Sequence, residues 1–105
     1  MKLQELGAAD VEGRLARGEI LLIDVREPAE FSAERITGAV SFPLSSFDPA
    51  KLPDAAGRLV VFQCGVGKRS MMALTLAQQA GLPLDTHLAG GLQAWKAAGL
   101  PTVSG

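Results

Sequence analysis

The sequence lacks most of the features that would assign a short chain to a specialised class. Among its 105 residues there is one cysteine, Cys64, and one histidine, His87. A single cysteine excludes an internal disulfide, and one cysteine with one histidine cannot supply the ligands of a structural zinc site. No apolar run reaches membrane-spanning length. The chain must therefore be stabilised by its own apolar core.

An excess of charge of one sign is also missing. Ten Lys and Arg residues stand against eleven Asp and Glu residues, and the formal net charge is −1. This balance implies no general attraction to nucleic acid or to an anionic membrane, so neither is expected as a partner. The first six residues are too polar for a signal peptide, and we therefore expect a cytoplasmic protein.

What the sequence does have is the composition of an ordinary folded protein, with 48% apolar and 20% charged residues. We predict a single domain over residues 1–105, because a chain of this length can bury its own core. The apolar patterns predict helices near residues 8–17, 28–35, 69–80 and 92–98 and strands near 20–23, 39–42, 59–63 and 85–88.

Strands that alternate with helices are typical of an α/β fold. The runs 20–23 and 59–63 are apolar without interruption, as in strands that are buried on both faces. We therefore predict a mainly parallel central sheet flanked by helices on both faces. Functional sites of such sheets lie beyond the carboxyl ends of the strands.

The segment 63–70 carries the strongest functional signal. It leaves a predicted strand and enters a predicted helix, which places Cys64 at a strand end. Gly65 and Gly67 allow the backbone to curl tightly, so that successive N–H groups can converge on one point. The start of the following helix adds unpaired N–H groups and the positive end of the helix dipole.

Such surroundings stabilise a thiolate. Lys68 and Arg69 add positive charge, and cysteines in comparable settings have a pKa below that of a free thiol. The thiolate is the nucleophilic form, so we expect the Cys64 sulfur to be ionised, reachable and reactive at neutral pH. The alternative is that Cys64 is a small buried apolar residue. The coincidence of a strand end, two glycines, two cations and a helix start favours the reactive thiol.

Rival motifs fail on spacing. A phosphate-binding P-loop requires glycine at position 62 and Ser or Thr at position 69, where Phe62 and Arg69 stand. A CxxC redox pair is absent, and nothing local supports His87 as the base of a Cys–His hydrolase. A cysteine phosphatase loop needs arginine at position 70, which is Ser70. The shorter loop suits a sulfur atom better than a tetrahedral phosphate.

Three parts of the sequence resemble the rhodanese family of sulfurtransferases, particularly its single-domain members. The resemblance spans nearly the whole chain, and the cysteine loop is its most specific part. Arg35 and Thr37 depart from the family pattern, which usually has His and Pro at these places. Residues 22–28, 30–31 and 36–39 match the first signature of the family. Residues 64–70 match its active-site loop. Residues 88–95 and 99–101 match its C-terminal signature.

The resemblance implies a rhodanese-like sheet of about five strands and a ping-pong transfer of sulfane sulfur. A donor such as thiosulfate, a polysulfide or a low-molecular-weight persulfide gives sulfur to Cys64. A thiol such as glutathione or thioredoxin, or cyanide, then removes it. No metal and no cofactor are implied.

The resemblance also implies roles for the neighbours of Cys64. Arg69 braces the loop and attracts the anionic donor, and Lys68 assists at the rim. Asp24 supports the loop from the neighbouring strand end and Arg26 orders that network, and Ser70 belongs with these two to the residues that surround the loop. The persulfide is held by the backbone amides of Gly65, Val66, Gly67, Lys68 and Arg69.

Three of these neighbours also have an ordinary interpretation. Asp24 could be a turn or cap residue, Arg26 an exposed arginine after a strand, and Lys68 a solvated charge. We expect Trp95 to lie in the core and the lone His87 to have an ordinary structural role.

Three functions remain open on the sequence. The first is an enzyme that moves sulfane sulfur through a Cys64 persulfide. The second is a relay or binding module that passes persulfide sulfur between proteins with little turnover of small molecules. The third is a phosphatase or arsenate reductase on a related scaffold, against which the short loop counts.

Overall fold

The computed structural model describes residues 2–105 and confirms the α/β architecture. In this range the strands form one parallel sheet in the order β1-β5-β4-β2-β3. None of the helices here is both long and apolar enough to cross a membrane. The elements are β1 (Gln4–Leu6), α1 (Ala8–Ala16), β2 (Ile20–Asp24), α2 (Pro28–Ala33), β3 (Val40–Ser41), 3₁₀ helices at Leu44–Ser46 and Pro49–Lys51, β4 (Leu59–Gln63), α3 (Lys68–Gln79), β5 (Thr86–Leu88) and α4 (Gly91–Ala97).

The centre of the sheet is the pair β2 and β4. The two strands are in register over their full length, from Ile20 opposite Leu59 to Asp24 opposite Gln63. Every residue of β2 is buried, as its uninterrupted apolar run predicts, whereas β4 is exposed where it begins and buried where it ends. Because the strands are parallel, the segments that follow β2 and β4 lie at the same edge of the sheet.

Side chains alternate between the two faces of the sheet, and different helices cover each face. Helices therefore flank both faces, as predicted, and the Cys64 side chain lies on the face covered by α3. The core against α1 and α4 consists of Val11, Ile20, Leu22, Ile36, Val61, Leu88, Leu92 and Trp95. The core against α3 consists of Leu21, Ile23, Val25, Phe62, Cys64, Ala73 and Leu74.

Trp95 is buried in the core against α1 and α4, which confirms the prediction for this residue. Its indole N–H donates a hydrogen bond of 2.9 Å to the carbonyl oxygen of Pro101. A buried indole needs such an acceptor, so this contact ties the C-terminal segment to α4.

The sequence patterns missed β1 and extended α2 too far. The residues of β1 are largely exposed and form no apolar run, and the strand exists because its backbone pairs with β5 at the sheet edge. Helix α2 ends at Ala33 instead of near Arg35, since Glu34 has an extended backbone. Arg35 then exchanges two backbone hydrogen bonds of 2.9 Å with Val103.

Candidate active site

The backbone at Cys64 is clamped to the start of α4. The Cys64 carbonyl oxygen accepts hydrogen bonds of 2.8 Å from the Leu92 N–H and from the Gln63 side-chain amide. The Gly65 carbonyl oxygen accepts one of 3.0 Å from the Gln93 N–H. The first N–H groups of a helix have no acceptor within it, and here they hold the loop that contains the cysteine.

Gly91 makes this close approach possible. A Cβ atom at this position would lie 2.3 Å from the Cys64 carbonyl oxygen and 2.7 Å from the Gly65 carbonyl carbon. The backbone also has a φ of +61°, in the left-handed region that favours glycine. Any side chain at position 91 would therefore push α4 away from the loop.

The loop after Cys64 curls so that hydrogen-bond donors surround the sulfur. The Gly67 N–H donates to Sγ over 3.1 Å and the Ser70 N–H over 3.3 Å, while the Ser70 Oγ lies 3.6 Å from Sγ. Gly67 precedes α3 with a φ of 105°, a conformation that strains any other residue. The sulfur is therefore at the focus of the loop and of the α3 N-terminus.

Two opposing effects set the pKa of the Cys64 thiol. Burial raises it, because a charged sulfur loses its hydration in the interior. Hydrogen bonds from the Ser70 hydroxyl and from the backbone N–H groups of Ser70, Gly67 and Val66 lower it. The hydrogen bonds outweigh burial, so the pKa lies below its ordinary value and the thiolate is favoured.

The expectation that the sulfur is openly reachable is wrong. Cys64 has 0% of its surface exposed and packs in the same core as Ala73 and Leu74 of α3. The physical reason is that Sγ points into the curl of the loop, where its donors lie. In this conformation of the loop the sulfur has no surface in contact with solvent.

Arg69, at the start of α3, joins the loop to α2 through Glu30. Its guanidinium donates hydrogen bonds of 2.6 and 3.1 Å to the Glu30 carboxylate, and it lies 3.1 Å from where a Cβ on Gly65 would be. The Arg69 hydrogen bond, against partial burial and aided by the Glu27 N–H, lowers the pKa of Glu30 to about 2. The Arg69 charge is therefore paired with that of Glu30, and the attraction of a donor that the resemblance implied stays a prediction.

Asp24 and Arg26 form a buried ion pair instead of contacting the loop. Asp24 is 0% and Arg26 4% exposed, and the carboxylate accepts from Nη2 over 2.8 Å and from Nε over 3.0 Å. The guanidinium also donates to the carbonyl oxygens of Glu34 and Glu30 around the end of α2. In residues 2–105 no hydrogen bond joins the Asp24 side chain to the 64–70 loop. Asp24 is therefore connected to the loop only indirectly, through Arg26, α2 and the Arg69–Glu30 pair.

Lys68 and Val66 are the exposed positions of the loop. Lys68 is the first residue of α3, and Val66 is 55% exposed at the tip of the curl.

Sequence reasoning missed the contact of His87 with this site. The His87 Nδ1 lies 2.6 Å from the Ser70 Oγ, and its Nε2 lies 2.9 Å from a carboxylate oxygen of Glu5. His87 pairs with Phe62 in the sheet, and this register directs its side chain to the same face as Phe62 and Cys64. The only signal in the sequence is the position of the histidine in a short strand, and that signal does not specify the register.

A cleft of about 330 Å³ lies beside the loop. It carries charges of both signs and borders the backbone of Gly65, so it offers room for a small or extended ligand next to the loop. Within the described part of the chain, no group of three or more His, Cys, Asp or Glu side chains could hold a metal ion. The cleft is lined by Arg26, Glu30, Gly65, Leu92, Gln93 and Lys96.

Comparison with known proteins identifies the family. The family model described as "Rhodanese-like domain" matches residues 7–98, which is most of the chain. The chain therefore belongs to the rhodanese-like domain family, and its relatives include sulfurtransferases.

Two relatives illustrate the range of similarity. "Uncharacterized protein slr1261" of Synechocystis sp. is 51% identical over 84 residues, which cover 80% of this chain and 47% of that protein. This chain thus spans about half the length of the Synechocystis protein. "Sulfurtransferase" of Allochromatium vinosum is 33% identical over 103 residues, which cover 97% of this chain and 96% of that protein.

The fold is shared with solved structures. The structure of "Thiosulfate sulfurtransferase from Pseudomonas aeruginosa" superposes with a TM-score of 0.85 at 27% identity. The superposition covers 98% of this chain and 20% of the Pseudomonas chain, so the similarity concerns one module of a longer protein.

Proposed function

We propose that the protein is a sulfurtransferase that carries sulfane sulfur as a persulfide on Cys64. The donor is thiosulfate, a polysulfide or a low-molecular-weight persulfide. The acceptor is a thiol, such as glutathione or reduced thioredoxin, or cyanide. Family membership and the relative named "Sulfurtransferase" support the general activity, and the name of the Pseudomonas structure supports thiosulfate as a donor.

The hydrogen bonds on the Cys64 sulfur carry this proposal. Two backbone N–H groups, of Gly67 and Ser70, point at Sγ over 3.1 and 3.3 Å and stabilise negative charge there. The outer sulfur of a persulfide is also anionic, so the same end of α3 suits both the free and the loaded enzyme.

Both steps of the proposed transfer are substitutions at sulfur. In loading, the Cys64 thiolate supplies the electron pair of a new S–S bond, and sulfite leaves thiosulfate with the pair of the broken S–S bond. In discharge, the acceptor thiolate attacks the outer sulfur, and Cys64 leaves as a thiolate to which the loop N–H groups again donate. Electrons therefore balance without an external oxidant.

The residues around the sulfur have separate roles in this scheme. The N–H groups of residues 65–69 hold the outer sulfur, and the Arg69–Glu30 pair keeps the shape of the loop. Lys68 supplies positive charge towards the anionic donor because it is exposed beside the loop. A cytoplasmic location stays a prediction that the lone cysteine favours.

Intact-mass measurement tests the proposal. Because Cys64 is the only cysteine, a gain of one sulfur atom after exposure of the reduced protein to thiosulfate or polysulfide reports on this residue. We expect the wild type to gain that mass and to lose it to cyanide, glutathione and reduced thioredoxin offered in parallel. The Cys64→Ser variant should do neither, with the exposed Ser46→Ala variant as a control that behaves like the wild type. A folded Cys64→Ser protein that still transfers sulfur would contradict the proposal.

The complete burial of Cys64 favours a second candidate, a relay between proteins. A docking partner could move the loop and deliver or remove sulfur, with little turnover of small molecules. Transfer to and from a protein persulfide that is much faster than turnover with thiosulfate and cyanide would support the relay. Rapid turnover with thiosulfate and cyanide would exclude it.

A further inference from the structure

We propose that His87 is a positioning residue for Cys64. The His87 imidazole takes up the proton of the Cys64 thiol through the Ser70 hydroxyl, and Glu5 fixes the tautomer of that imidazole. This inference deepens the proposed sulfurtransferase function and rests on it for the use of the thiolate. It assigns a role in the site to the only histidine of the chain.

The polar contacts form a continuous path from the sulfur to the surface. The Cys64 Sγ lies 3.6 Å from the Ser70 Oγ, which lies 2.6 Å from the His87 Nδ1. The His87 Nε2 lies 2.9 Å from the Glu5 carboxylate. The His87 side chain is 2% exposed and that of Glu5 is 57% exposed. The path thus begins at a buried nucleophile and ends at a carboxylate in contact with solvent.

The acceptor character of Glu5 determines where the protons lie. An ionised carboxylate only accepts hydrogen bonds, so the His87 Nε2 carries a proton. In the neutral ring Nδ1 is then the acceptor, and it receives the hydroxyl proton of Ser70. The Ser70 Oγ also lies 3.2 Å from the Gly67 carbonyl oxygen. Its contact with the His87 Nδ1 is shorter, at 2.6 Å, and this nitrogen is therefore the preferred acceptor of the hydroxyl proton. The Ser70 oxygen can in turn accept from the Cys64 thiol.

The proton shift along this path is balanced. The Cys64 S–H bond breaks and an O–H bond forms on Ser70, while the original Ser70 O–H bond breaks and an N–H bond forms on the His87 Nδ1. Ser70 remains a neutral hydroxyl, and it now donates to the thiolate and accepts from the ring. The products are a thiolate and an imidazolium, and the Glu5 carboxylate balances the charge of the imidazolium.

The groups around the ring add no competing charge. β1 contributes Glu5, α3 contributes Ser70, and β4 contributes the apolar Phe62 opposite His87. Gly67, which precedes α3, approaches the ring without a side chain, since a Cβ atom there would lie 3.7 Å from the His87 Cε1. In the described residues, Glu5 is therefore the charged side chain in direct contact with His87, and Cys64 is coupled to it through Ser70.

The composition of the chain makes the test unusually direct. With one histidine, the imidazole ¹⁵N signals in an NMR spectrum belong to His87, and with one cysteine and no tyrosine, the ultraviolet absorbance of a thiolate belongs to Cys64. Both signals can be followed against pH in the intact protein without any sulfur donor.

Thermodynamic linkage predicts reciprocal effects. In Cys64→Ser, the change of the His87 ¹⁵N signals with pH should differ from that in the wild type, because the nearby thiolate is gone. In His87→Gln, the Cys64 thiolate should form at a pH about one unit higher than in the wild type. At a given pH below the range in which the thiol ionises, the fraction of thiolate should therefore be roughly tenfold lower. Glu5→Gln should shift the thiolate titration in the same direction by a smaller amount. The exposed Glu12→Gln variant changes the net charge equally and should leave the titration unchanged.

Two results would overturn the inference. One is a thiolate titration that is identical in the wild type and Glu5→Gln, a surface variant that keeps the fold even if His87→Gln does not. The other is a neutral His87 ring with its proton on Nδ1. A wild type that shows the coupled titration but gains no sulfur from any donor would refute the proposed function and leave the proton path standing. A wild type that transfers sulfur, but in which the thiolate titration does not depend on His87 or Glu5, would refute the proton path and leave the proposed function standing.

Discussion

The Cys64 loop is held on two sides by polar networks of different kinds. Towards α2 the network consists of two carboxylate–guanidinium pairs, Arg69–Glu30 and Arg26–Asp24. Towards β5 and β1 it consists of the hydroxyl, imidazole and carboxylate of Ser70, His87 and Glu5. Only the second network reaches the Cys64 sulfur with a side chain, over 3.6 Å.

The two networks differ in what they control: the α2 network holds the conformation of the loop, and the β5 network affects the ionisation of the Cys64 thiol. The side chains of the α2 network make no hydrogen bond to the Cys64 sulfur, because its two carboxylates are paired with arginines, so this network acts by holding the backbone in place. Imidazole changes its protonation near neutral pH, so the β5 network can exchange a proton with the sulfur. Disruption of the first network should therefore affect stability most, and disruption of the second should affect the thiolate most.

The largest expected effect on stability follows removal of the Asp24 charge. Asp24→Asn leaves the Arg26 guanidinium buried without its counter-charge, and breaking one partner of a buried pair costs about 3–5 kcal/mol. Urea unfolding measures this loss. Asp10→Asn is the matched control, because it breaks the exposed Asp10–Arg14 pair on α1 and should cost about 0.5 kcal/mol or less. Equal effects of the two variants would show that burial does not strengthen the Asp24 contact.

An intermediate effect is expected for Ser70→Ala. The loss of the hydroxyl leaves the His87 Nδ1 without its 2.6 Å partner and should cost about 1–3 kcal/mol in unfolding free energy. The pKa of Cys64 should rise, because the Ser70 hydroxyl is the strongest of the contacts that lower it. The ultraviolet titration of the thiolate measures this rise, and Ser46→Ala on the exposed 3₁₀ helix is the control. A titration equal to that of the wild type would show that the backbone N–H groups suffice.

The smallest effect is expected for Glu30→Gln. The Arg69–Glu30 pair is about one-third exposed, with side-chain exposures of 34% and 42%, so its loss should cost less than about 1 kcal/mol at pH 7. The pKa of Glu30 falls from 4.5 to about 2 on folding, so the pair stabilises the protein above pH 4.5 and this contribution is lost as the pH falls towards 2.

Unfolding experiments at several pH values check this prediction. The difference in unfolding free energy between the wild type and Glu30→Gln should shrink as the pH falls from 4.5 towards 2. A difference that stays constant over this range would show that the carboxylate charge of Glu30 does not stabilise the fold.

Local sequence patterns were enough to predict the two central strands of the sheet and the position of Cys64 at the end of one of them. The apolar runs of β2 and β4 predict buried parallel strands because each residue in them must find an apolar neighbour on either face. The glycines at positions 65 and 67 predict the curl after Cys64, and the structure shows Gly67 in the left-handed conformation that such a curl needs. The helical spacing of Leu92 and Trp95 predicts that Trp95 is buried.

Local sequence patterns could not predict contacts between elements that are distant in the chain. The partner of Arg69 was not predicted, because the position of Glu30 depends on how α2 packs after β2. The burial of Cys64 likewise depends on α3 closing over the sheet. β1 was missed because an exposed edge strand is defined by its pairing partner rather than by an apolar run.

The sequence by itself determined that a lone cysteine stands between a buried strand and a helix, with glycines that let the backbone turn its N–H groups inwards. Only the tertiary structure decided what the sulfur can exchange a proton with. Glu5 and His87 are 82 residues apart and meet because β1 and β5 pair at the sheet edge. Strand register is set by packing of the whole sheet, and no local spacing in the chain encodes it.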